Sequence, residues 1–298
     1  MKFKMLATCV AVALLAGCGD DSESTSTSVQ AYDGAIKGIA GTYSCVDDSG
    51  AVIASGLIPN TDSTGYASVN DLTVLNTPEK CTFAFQATAG AIDVSNSKDM
   101  SKVALTIPKG LASTGTPPRA TPFTTLVAKL IESDANKYPN GYTEDAARTV
   151  LSGLGLSSIE NTGGVTIAEI MSDLDSAITK VKTNSPALAA KLVATTHIVS
   201  DVLTKTDLSV TQISNATQNL VTKITTTYPN YPTGGTGSVV VDVKDYDLST
   251  VTESVLSDLS SLAEPQVDEA KPFTEGDTSG NNPTGTGTGT DGSGTSGD

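Results

Sequence analysis

Tryptophan is absent from this chain, histidine occurs once, and aromatic residues of all kinds make up only 4% of it. Without tryptophan the flattest and largest side chain for stacking against a sugar ring is missing. With His197 as the sole histidine, no metal centre built on paired histidines can form, and two distant cysteines do not make a zinc pattern. Positive charge is scarce as well: 18 Lys and Arg face 33 Asp and Glu, a net charge of −15. Nucleic acid is therefore an unsuitable partner, and so is an anionic lipid surface. Beyond the first 17 residues no apolar run approaches the roughly 18 residues that cross a bilayer. Neither a G-x-S-x-G elbow nor a phosphate-binding glycine loop occurs. His197, Ser200 and Asp201 share one expected helix, whereas a serine triad needs its members to converge from separate elements, so His197 reads as a helix-surface residue. The residues thus point to no catalytic group, no metal ligand and no cofactor.

What is present is first of all an address. Lys2 and Lys4 precede an apolar stretch over residues 5–15, which is too short for a permanent membrane span. The stretch ends in Leu15-Ala16-Gly17-Cys18, which resembles the bacterial lipobox. That resemblance implies that residues 1–17 are a lipoprotein signal peptide and that the Cys18 thiol accepts a diacylglycerol. It also implies that the new amino terminus is acylated, with chains such as palmitate. Each buried CH₂ contributes about 0.8 kcal/mol, so several chains anchor stably where one is marginal. Gly19 after the cysteine favours the outer membrane over inner-membrane retention, and the expected placement is lipid-anchored at the cell surface.

Cys9 leaves with the leader and Cys18 is taken by lipid, which leaves Cys45 and Cys81. Ile39, Tyr43 and Cys45 fall on one face of an alternating run, and Cys81, Phe83, Phe85 and Ala87 on one face of another. Both thiols then point into one core, either as two buried thiols or, in an oxidising compartment, as one disulfide. Such a bridge contributes on the order of 3–4 kcal/mol in the chain-entropy model.

The composition divides the chain further. Residues 18–31 are rich in Ser, Thr and Asp and read as a flexible tether. Residues 32–113 carry β-rich runs at 36–45, 51–57, 66–75, 81–94 and 103–107, separated by turns such as Asp47-Asp48-Ser49-Gly50 and Asp62-Ser63-Thr64-Gly65. Carboxylates of this kind suit calcium, but neither turn matches the spaced acidic calcium loop, and turn chemistry alone accounts for them. Over residues 119–263 the period becomes helical. Thr166, Ser209 and Thr250 open capping boxes, and Thr121-Pro122 and Ser185-Pro186 place a cap before a first-turn proline. Apolar stripes follow, with a short strand near 238–243 between the last two. Residues 264–298, rich in Gly, Thr, Ser and Asp, read as a disordered linker or tail. The fold class expected is α+β: a small β-sandwich-like domain, then a helical bundle, between a flexible tether and a disordered tail.

Two stretches carry a family resemblance: residues 31–38, Ala-Tyr-Asp-Gly-Ala-Ile-Lys-Gly, and Thr121-Pro122-Phe123-Thr124-Thr125-Leu126-Val127 with Leu154-Gly155-Leu156 downstream. With the lipobox and acidic tether, the chain resembles the N-terminal region of the accessory colonization factor lipoproteins of vibrios, relatives of an enterobacterial mucin-degrading lipoprotein. The resemblance implies virulence-associated colonization, with host mucin or glycans as partners. It also implies a zinc metallopeptidase of the H-E-x-x-H type, which one histidine cannot supply, so the chain matches a non-catalytic portion. Three roles stay open: presentation or adhesion at the surface, the accessory part of a larger mucin-directed metallopeptidase, and a periplasm-facing lipoprotein of an envelope machine. Tyr228 and Tyr231, in the aromatic loop Tyr228-Pro229-Asn230-Tyr231-Pro232, are the candidate ligand-binding residues, although a helix stop and rigid turn explain the same sequence.

Overall fold

The computed structural model describes residues 26–204, 208–233 and 239–243 together with the backbone of 266–269. Cys18, the leader, the Thr250 capping box with its stripe, and the Gly/Thr-rich end lie outside the described residues. The fold is α+β.

The β unit rests on alternation. In β3 (Ala40–Val46) and β6 (Cys81–Gln86) every second side chain is buried, and the two strands pair antiparallel. With β4 (Val52–Ile58) on one side and β8 (Leu105–Ile107) on the other they form a sheet of order β4-β3-β6-β8. A second sheet sets β1 (Thr27–Ala31) between β5 (Tyr66–Val69), antiparallel, and β9 (Arg119–Ala120), parallel. A short ribbon joins β2 (Ile36–Lys37) to β7 (Ile92–Asp93). Both sheets bury their inner faces in one cluster, with Val29 and Val69 from one and Cys45, Phe83 and Phe85 from the other. Cys45 and Cys81 face each other across β3 and β6 and are joined by a disulfide.

Four sequence expectations change here. Residues 27–31, assigned to the tether, form β1: Val29 and Ala31 are apolar enough to enter the core, and two neighbouring strands take up its backbone groups. The run 66–75 is strand only to Val69, because the Asp71 carboxylate accepts from the Thr73 and Val74 N–H groups and starts helix α1 (Leu72–Asn76). The run 81–94 is strand only at Cys81–Gln86 and again at Ile92–Asp93, and Ala87 is exposed rather than continuing the buried face. Finally, β9 returns to the first sheet after residue 113, so the β unit extends to Ala120. The acidic turns are self-contained. Asp47 accepts from Ser49 and Ala51, and Asp62 from Thr64 and Tyr66, which occupies each carboxylate within its own turn.

The helical bundle contains α2 (Pro122–Ser133), α3 (Glu144–Gly153), α4 (Ile167–Ser172), α5 (Leu174–Asn184), α6 (Pro186–Leu203) and α7 (Val210–Thr227). The sequence caps at Thr121, Thr166, Ser185 and Ser209 all accept from backbone N–H groups at their helix starts. Helix α3 was not among the expected capping boxes, since Thr143 caps it with Ala146 at the third position. Helix α6 is central, burying Leu188, Leu192, Ile198 and Val202 among neighbours on several sides. No helix among the described residues is long and apolar enough to cross a membrane. The strand expected near 238–243 is β10 (Val239–Asp242). It pairs antiparallel with β11 (Gln266–Glu269), four residues of the stretch expected to be a disordered linker or tail; a lone strand leaves backbone groups that a second strand satisfies.

The two units meet along a seam. The Thr124 hydroxyl donates to the Thr106 carbonyl at 2.7 Å, and the Thr106 N–H donates to the Thr125 hydroxyl at 2.8 Å, which fixes α2 on β8. Arg119, beside β1, reaches the Asp173 carboxylate at the cap of α5, with an N–O distance of 2.6 Å. Lys98, in the turn after β7, makes a 2.7 Å ion pair with Asp201 of α6, and both side chains are almost wholly buried. Asp201 also accepts the Val243 N–H at 2.9 Å, and Lys98 donates to the Val241 carbonyl at 3.2 Å, so this pair holds the end of β10 as well.

Candidate binding pocket

A cavity of about 510 Å³ opens at this seam. One wall comes from α5 and α6, with Leu174, Ile178, Ala190 and Val193 giving an apolar surface. The facing wall is the link between β1 and β2, where Tyr32, Asp33 and Gly34 turn the chain, with Ser95 and Asn96 beside them. Gly34 has φ of 82°, and a Cβ there would meet the Asp93 carboxylate at 2.5 Å, so only glycine permits this turn. The loop after α7 closes the third side with Tyr231, and Asp175 and Lys182 stand at the mouth.

The polar floor is built from groups that partner one another. His197 is half-buried on α6, and its Nδ1 lies 2.8 Å from the Tyr231 hydroxyl, with the two rings edge to face. Burial, and secondarily the Lys98 charge, pushes the imidazole down to about 3, so it is neutral at physiological pH. The Tyr231 hydroxyl is 2% exposed and bonded to His197, and burial raises its pKa. Donation to His197 Nδ1 pairs the buried phenol hydrogen, and it places the imidazole hydrogen on Nε2. Beneath this lies Asp33, 1% exposed, whose two carboxylate oxygens have no hydrogen-bond partner among the described residues. Burial raises the Asp33 pKa well above its ordinary value, against the pull of Lys98 and with the added push of Asp93. Asp93 is raised too, by burial, although Ser95 and Asn96 donate to it. At the rim, the Tyr32 hydroxyl donates to Asp175 at 3.1 Å; burial and then Asp175 raise its pKa.

The sequence-derived candidates separate. Tyr231 lines the cavity but is 2% exposed, so it is a floor residue and not the exposed aromatic platform expected from its loop. Tyr228 packs half-buried against the helical core and does not line the cavity. Cys45 and Cys81 sit in the β core, away from the cavity lining. His197 is not the surface residue expected: the loop after α7 folds back over that face of α6 and covers it. The i, i+4 spacing of His197 and Asp201 was a visible signal, and it puts both on the side of α6 facing the seam. Lys98 gave none, because a lysine in a polar turn reads as solvated until its partner is placed. Among the described residues no group of three or more His, Cys, Asp or Glu side chains is set to hold a metal ion. The arrangement offers a mainly apolar chamber with a neutral imidazole at its polar end, which suits binding. In comparisons with known proteins, no family model, no curated protein and no solved structure matches the chain.

Proposed function

We propose that the chain is an outer-membrane lipoprotein, anchored through Cys18, whose folded body is a non-catalytic binding and presentation module in host colonization. The observation that carries the reading is the seam pocket: the Lys98–Asp201 pair beside it is closed on itself and the histidine on its lining is neutral, an arrangement that retains a ligand without activating one. The short distance to the anchor supports it. Eight residues separate Cys18 from β1, which at about 3.4 Å per residue hold the body within roughly 30 Å of the lipid. Host mucin glycoprotein is the proposed macromolecular partner, following the sequence resemblance.

Bacteria expressing the chain are fractionated and tested on immobilised mucin. The expected result is a membrane-bound, protease-accessible protein that confers adhesion, with both membrane retention and adhesion lost in Cys18→Ala. Retention of Cys18→Ala in the membrane contradicts the anchor. Protection of the wild-type protein from external protease contradicts surface presentation and favours the periplasm-facing role.

A further inference from the structure

Resting on the reading of the seam pocket as a binding site, we propose that it takes an uncharged, mainly apolar small molecule carrying one acceptor oxygen, such as a ketone, ester or ether. That oxygen is received by His197 Nε2–H.

Three features set this class. First, the cavity of about 510 Å³ falls within the range of small-molecule sites, and its α5–α6 wall is aliphatic. Ile178 and Val193 are only partly buried by protein, so apolar surface is left for a ligand to cover. Second, the polar end is a donor. The Tyr231 hydroxyl, 2% exposed, pairs its hydrogen by donating to Nδ1, and Nε2 is the remaining polar atom of an imidazole that lines the cavity. An acceptor oxygen satisfies that donor, whereas a second donor in its place leaves both hydrogens unpaired. Third, charge is disfavoured in the interior. The nearby ions, Lys98 and Asp201, are bound to each other and do not line the cavity. An anion pushed to the floor loses its hydration, gains no counter-charge there and faces the Asp33 carboxyl. Asp175 and Lys182, of opposite sign, stand at the mouth and impose no net preference there.

The test uses the chain expressed from residue 18 with Cys18→Ser, which keeps every described residue. It is titrated into two fluorophores: the uncharged naphthyl ketone Prodan and the anion anilinonaphthalene sulfonate. Prodan is expected to bind saturably with a blue-shifted emission, and the sulfonate at least about tenfold more weakly. Val193→Trp, which fills the chamber, is expected to abolish Prodan binding without lowering the thermal midpoint. His197→Phe is expected to weaken Prodan about fivefold, the loss of one hydrogen bond, while His197→Gln, which keeps a donor, restores it. Equal affinity for sulfonate and ketone, both lost in Val193→Trp, overturns the ligand class and leaves the pocket as a binding site. No saturable binding, or binding indifferent to Val193→Trp, overturns the pocket reading itself.

Discussion

The β unit and the helical bundle hold their cores together by different means. In the β unit the pairing of β3 with β6 joins residues 36 apart in sequence, and the Cys45–Cys81 bridge sits on that pairing. Closing such a loop costs entropy before any contact forms, and the covalent link removes that cost from the unfolded chain. The bundle contains no disulfide among its described residues. Its helices are local, each started by a side-chain cap, and the stripes so ordered fuse into a larger core around α6. Between the two units neither device is used. The seam is joined by Lys98–Asp201, Arg119–Asp173 and threonine-to-backbone bonds, which are directional where apolar packing is not. Polar contacts of this kind leave room for a chamber that a fully apolar interface would fill.

That comparison can be broken in order of effect. The largest loss is expected from Lys98→Met, which leaves Asp201 buried without its counter-ion; removing one member of a buried pair costs about 3–5 kcal/mol. Urea unfolding should show that loss, and the double variant Lys98→Met/Asp201→Leu should recover much of it. Next comes Cys45→Ala/Cys81→Ala, expected to lose about 2–4 kcal/mol. Urea unfolding should show that loss with β3, β6, α6 and α7 still opening together, because the Lys98–Asp201 pair is kept. Ser209→Ala removes a capping box and is expected to cost about 1 kcal/mol, read as fraying at the start of α7 only.

The pH response sharpens the picture of the seam. The folded His197 pKa, about 3, lies below the ordinary 6.5, so the unfolded chain takes up the proton first as pH falls. Its contribution is complete above about pH 6.5 and is lost progressively toward pH 3. Asp33 acts in the opposite sense: with its pKa raised in the fold, its contribution is complete below the ordinary 3.8 and declines as pH rises above that value. Thermal midpoints measured across this range should lose their His197-dependent slope in His197→Phe.

Much of the fold was legible in residues whose signal is local. The caps at Thr121, Thr166, Ser185 and Ser209 and the alternation through Tyr43, Cys45, Phe83 and Phe85 all depend on neighbours within a few positions. What was not legible depends on partners far along the chain. Residues 27–31 lie in a Ser/Thr-rich stretch and become a strand because β5 and β9 flank them. Tyr231 reads as an exposed loop aromatic until α6 presents His197 to it. The candidate pocket was the least visible part: Asp33 and Lys98 belong to the β unit, His197 and Asp201 to the bundle, and no sequence pattern links them.

The polar seam couples two separately built cores into one body. Native-state hydrogen exchange of the chain from residue 18, followed against urea, tests it directly. In the unaltered chain β3 and β6 should reach exchange at the same urea concentration as α6 and α7, and Lys98→Met should split them into two transitions. Two separate transitions already present in the unaltered chain would contradict it.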